Sequence, residues 1–155
     1  MSQELFTADA WHKKQAVDLF NATWDLIDND NRSDEETFMM IHTAHASRYH
    51  WTQVGTALNL ARGEWLISRV YALLGMGDQA LLHGQYSLDL CQDNNIGDFD
   101  LAFAYESIAR AAVLLEDQEL YEGYYRMASD AAKNIEKPDD KSYFLDELKT
   151  IKEML

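Results

Sequence analysis

Apolar residues recur at intervals of three and four along the whole chain, and no stretch alternates with a period of two. That pattern predicts helices, with only Pro138 and seven glycines to interrupt them. The first helix is expected over residues 8–27, with Val17, Phe20, Trp24 and Ile27 on one face. A polar run over 28–33 breaks it. Ser33 then reads as an N-cap, and Glu36 three positions later completes a capping box. The second helix carries Phe38, Ile41, His45 and Tyr49 and stops near Gly55. A third, over 56–74, ends at Gly75, placed as a C-terminal cap. The fourth opens at Asp78 and reaches residue 92. Asp98 caps a fifth that reaches 115, and a sixth over 118–135 stops before Pro138. The last, over 142–155, buries Phe144, Leu145, Leu148 and Ile151. The expectation is one all-α domain of about seven helices. Its short connections make antiparallel hairpins over 8–54, 56–92 and 98–135, with 142–155 as a capping helix.

The hairpins repeat. The string from Ile67 to Leu74 lies over Ile108 to Leu115 at an offset of 41, with isoleucine, a small residue, arginine and a double leucine coinciding. The same offset carries Ala80 to Tyr121 and Gly84 to Tyr125. A diverged hairpin repeat of this period indicates a helical solenoid. With Ile67, Tyr71 and Ala80 in one copy, and Tyr105, Ile108, Ala109 and Tyr125 in the other, the chain resembles tetratricopeptide (TPR) repeats over about half its length. It departs from that pattern at Glu64, Ser68, Gly84, Ala112 and Tyr121. The stretches Arg48-Tyr49-His50-Trp51, Gly63-Glu64-Trp65 and Gly97-Asp98-Phe99-Asp100 also look like those of an uncharacterised bacterial protein group, to which no activity attaches. The resemblance implies a TPR-like right-handed superhelix that binds a protein segment in its groove.

Charge narrows the partners. Thirteen Lys and Arg stand against 27 Asp and Glu, a formal net charge of −14 over 155 residues. A surface this negative repels phosphate, which argues against nucleic acid and anionic membrane as partners. Apolar residues at 47% exclude a disordered chain. Cys91 is the sole cysteine, so it forms no intrachain disulfide and no cysteine zinc cluster, and it belongs to a core face. Residues 1–15 are polar and no apolar run suffices to cross a bilayer, so the expected location is the cytoplasm.

Candidate chemistry falls in two places. By the TPR resemblance, groove positions map to Arg62, Trp65, Leu66 and Arg69 in one copy and to Phe103, Glu106, Ser107 and Arg110 in the other. Three guanidiniums beside two aromatics would suit a protein segment or a small acidic ligand held bidentately. The competing reading is internal neutralisation. Glu106 and Arg110 are four apart, a favourable helical pair worth about 0.3–0.5 kcal/mol on a surface, and Glu64 is close enough in sequence to join Ser68 and Arg69. The second place is His42, His45, Arg48 and Tyr49. His42 and His45 share a helix face, so a metal-dependent enzyme or sensor requires a carboxylate from another helix: Glu64, Asp98, Asp100 or Glu106. Against it, no HExxH or Glu-x-x-His pairing is present, and the alternative is that His45 and Arg48 are satisfied inside the packing. The loop over 28–33 departs from a calcium loop at Arg32 and Ser33. No cofactor is implied, and the first hairpin is a surface on which a second copy would pair.

Overall fold

Each expected helix forms, and several ends have a local cause. The computed structural model describes residues 3–155, in seven helices: α1 Ala8–Ile27, α2 Asp34–Val54, α3 Ala57–Leu73, α4 Gly77–Asp93, α5 Asp98–Leu114, α6 Gln118–Ala132 and α7 Pro138–Lys152. There is no strand among the described residues. Thr7 caps α1, and the Ser33–Glu36 capping box opens α2. The loop between them closes α1 through Arg32, whose Nη1 donates to the carbonyls of Leu26, Ile27 and Asn29. Gly75 ends α3 at φ 75°, and Met76 N–H reaches back to the Tyr71 carbonyl at 2.9 Å.

Pro138 acts differently from expectation. It opens α7 at its first position, where a missing N–H costs nothing, while α6 ends at Ala132. The seventh helix therefore begins four residues earlier than its apolar pattern suggests. Asp98 is the first residue of α5 and not its N-cap, which is Gly97; its carboxylate accepts from Phe99 N–H at 2.6 Å and from Glu136 N–H at 3.3 Å, so it ties down the α6–α7 connection.

Helices pair as α1 with α2, α3 with α4 and α5 with α6. The second helix of each hairpin packs on the first helix of the next, and α1, α3, α5 and α7 meet in succession. The backbones of α2 and α4, and of α4 and α6, do not approach closely among the described residues. α5 is the most enclosed, with ten buried residues between α3, α4, α6 and α7.

In the first hairpin the large apolar residues do not make the seam. Its seam is made of small residues: Ala16, Thr23, Thr43, Ala44 and Ser47 are buried, with Met40. Thr23 Oγ1 donates to Thr43 Oγ1 at 2.9 Å and Ser47 Oγ to the Ala16 carbonyl at 2.7 Å, as the close approach of two backbones requires. Val17 and Tyr49 are exposed, and Phe38 is 64% exposed. At the other end, Phe144, Leu148 and Ile151 are buried as expected, but Leu145 is exposed.

The repeat diverges where spacing differs. A side chain at Gly84 would meet Ser107 Oγ at 2.8 Å and Ser68 Oγ at 3.3 Å, so α4 can lie close between α3 and α5 only with small residues there. Its counterpart Tyr125 is half-buried on α6, and Lys152 of α7 lies over its ring at 5.1 Å.

Candidate functional site

The four helices that meet in succession enclose a cavity of about 400 Å³. α1 supplies Phe20 and Trp24, and α3 supplies Arg62 and Trp65. α5 supplies Phe99, Asp100 and Phe103, and α7 supplies Asp140 and Tyr143. The rings hold one another edge to face or offset: Trp24 lies 5.9 Å from Trp65, Trp65 5.3 Å from Phe103, and Phe103 4.7 Å from Phe99 and 5.9 Å from Tyr143. Phe144, fully buried, backs Phe103 at 4.9 Å. At the edge, Arg62 makes a bidentate pair with Asp100, Nε to Oδ1 at 2.8 Å and Nη2 to Oδ2 at 3.1 Å. Asp140 is half-buried and has no cationic partner within bonding distance among the described residues.

The expected groove residues divide. Arg62, Trp65 and Phe103 do come together on this cavity. Leu66 and Ser107 are buried in the helix packing instead. Glu106, Arg69 and Arg110 form a network joining α3, α5 and α7. Glu106 is 0% exposed, and its Oε1 accepts from Arg110 Nε at 2.7 Å and Arg69 Nη2 at 3.2 Å. Arg69 also pairs with Glu147 at 3.0 Å, while Arg110 Nη2 donates to Thr150 Oγ1 at 2.7 Å and the Glu147 carbonyl at 3.1 Å. These two guanidiniums are therefore matched internally, and the charge expected of them in a groove is spent on α7. Arg69 contributes indirectly, its Cζ lying 5.1 Å from the Trp65 ring.

The histidine cluster is likewise rearranged. Glu64 does not join Ser68 and Arg69. It sits between α2 and α4, with Arg48 Nε 3.0 Å from Oε1 and His83 Nδ1 2.6 Å from Oε2. His45 Nε2 lies 2.9 Å from the Tyr71 hydroxyl, and its ring packs against that of His83. His42 and Tyr49 face solvent. The metal reading fails on this geometry: no three His, Cys, Asp or Glu side chains converge as a metal site among the described residues. Each carboxylate it needed is engaged elsewhere. Glu64 holds Arg48 and His83, Asp98 holds two backbone N–H groups, Asp100 holds Arg62, and Glu106 holds Arg69 and Arg110.

Burial holds the His45 imidazole below its ordinary value, with His83 and His42 adding to the effect against Glu64. The unfolded chain thus binds the proton more tightly than the native one. The stability of the neutral ring is complete above the ordinary value of about 6.5 and is lost as pH falls through the folded value. His50, held down by burial and by His12, acts in the same direction. Tm is expected to fall between pH 7.5 and 5.5, and His45→Gln to flatten that slope without abolishing it. An unchanged slope in the variant would refute the assignment.

Cys91 is buried on α4, and burial together with Asp100 pushes its thiol up to about 11, which suits packing and not nucleophilic chemistry. No helix of the described residues is long and apolar enough to cross a membrane. The apolar pattern places Phe20 and Trp24 on one helix face without marking them as a site, and it leaves out Asp140 and Tyr143, which depend on where α7 starts. Pro138 followed by Asp139 and Asp140 was the available signal, being the composition of a helix first turn. Comparison with known proteins finds no matching family model, curated protein or solved structure, so the chemistry of the cavity itself carries the functional reading.

Proposed function

We propose that this protein is a non-enzymatic binding module whose hairpins stack in a TPR-like right-handed superhelix and receive a segment of another protein in the aromatic cavity. The stacking reading is supported by the succession of α1, α3, α5 and α7, with α7 in the place of a fourth hairpin's first helix. The binding reading rests on one observation: six aromatic side chains from four different helices surround an open volume of about 400 Å³ instead of closing on it. A protein segment suits it better than a small acidic ligand, because Arg62, Arg69 and Arg110 already have carboxylate partners.

Selection from a random dodecapeptide library tests this. A peptide consensus is expected, and binding of its synthetic form shifts tryptophan emission because Trp24 and Trp65 line the cavity. Phe20→Ser, at a half-buried wall position, weakens binding by about tenfold or more while the protein still melts cooperatively. Absence of any consensus, or equal binding to the variant, would refute the reading.

A further inference from the structure

The edge of the cavity carries more negative charge than it neutralises. Arg62 is matched by Asp100, and Arg69 by Glu106 and Glu147. Asp140 makes no ion pair beside the aromatic wall among the described residues; the cation that feels its charge, Arg62, is already held bidentately by Asp100. The Tyr143 phenol is raised chiefly by burial, with Glu147 and Asp28 adding to the rise against Arg69. An anionic group entering here would meet Asp140 and find no unmatched guanidinium. A cation would meet the opposite situation. Aromatic faces attract it through their quadrupole, a half-buried carboxylate is ready to pair with it, and the net charge of −14 draws it in from solution. The walls have a further preference, since the aliphatic stem of a long basic side chain covers apolar surface while its charged end stays at a polar rim.

Resting on the binding-module reading, we propose that the cavity receives a lysine or arginine side chain from a basic segment of a partner protein. Its stem lies along Phe20, Trp24, Phe99 and Tyr143, and its charge pairs with Asp140.

The peptides selected above supply the probe. Those retained by the wild-type chain are expected to share a lysine or arginine beside an apolar residue, and to bind more weakly as sodium chloride rises from 50 to 500 mM. Asp140→Asn weakens the synthetic consensus peptide by about tenfold, as loss of a charge-assisted hydrogen bond does, and Asp140→Lys weakens it further. Both variants are checked for an unchanged melting transition. If the consensus is acidic or uncharged yet Phe20→Ser still blocks it, the cationic inference falls and the binding module stands. If no peptide distinguishes the wild-type chain from Phe20→Ser, both fall. Basic peptides that bind Asp140→Asn as tightly as the wild type would overturn the pairing. n-Butylamine binding as tightly as the peptide would overturn the assignment to a partner segment.

Discussion

Glu106→Ala is expected to lower the unfolding free energy by about 3–5 kcal/mol, the cost of leaving buried charge uncompensated. The carboxylate is fully buried on α5 and faces two guanidiniums, one from α3 and one on its own helix. Arg69 keeps Glu147 after the substitution, but Arg110 retains only neutral partners: Thr150, the Glu147 carbonyl and Met154 Sδ. Glu106→Gln keeps an acceptor and loses the charge, so it falls between the variant and the wild type. A different outcome attends removal of the whole arrangement. Glu106 Oε2 has no partner among the described residues, a standing cost in a buried carboxylate. Replacing Arg69, Glu106 and Arg110 together by apolar residues of similar volume is therefore expected to be nearly neutral or stabilising. Urea unfolding of the four proteins decides this. A loss below about 1 kcal/mol in Glu106→Ala would mean that the pairing is solvated, in the range of exposed ion pairs.

Phe144→Ala is expected to cost about 3–5 kcal/mol, from lost transfer energy plus the cavity left behind. The ring is fully buried on α7 in the cluster that includes Phe103, Ala109, Leu148 and Ile151. α7 has no hairpin partner of its own and is held by α5 and α6. The loss should therefore be local before it is global. Hydrogen exchange is expected to accelerate through residues 138–152 more than through α2, and Phe144→Leu to recover most of the loss. Because Phe144 backs Phe103, and Tyr143 stands beside it, the same variant should weaken peptide binding although it does not line the cavity. Equal acceleration in α2 and α7 would refute the local account.

These two sites also mark how much of the structure is legible in the sequence. The Glu106–Arg110 pair is visible as a spacing of four, and that spacing alone implies a surface pair of a few tenths of a kcal/mol. Its importance comes from Arg69, 37 positions away, and from Glu147, which reaches Arg69 across 78. Phe144 was legible as core because it recurs with Leu148 and Ile151 on one face of a helix. Phe20 and Trp24 obey the same rule, yet they form a cavity wall. The small residues of the α1–α2 seam gave no comparable signal. Large apolar residues attract the assignment of a core, whereas two helices approach most closely where side chains are smallest.

Sequence alone determined the seven helices, the hairpin order, the capping box at Ser33 and the turn at Gly75. Each of these depends on residues within one or two turns, so the information is local. Tertiary structure decided which faces are buried, that Glu64 belongs to Arg48 and His83, that two expected groove arginines serve α7, and that Asp140 reaches the cavity. Those outcomes depend on which distant side chain occupies the space opposite. A helical periodicity records that a face is apolar, but not what will stand against it.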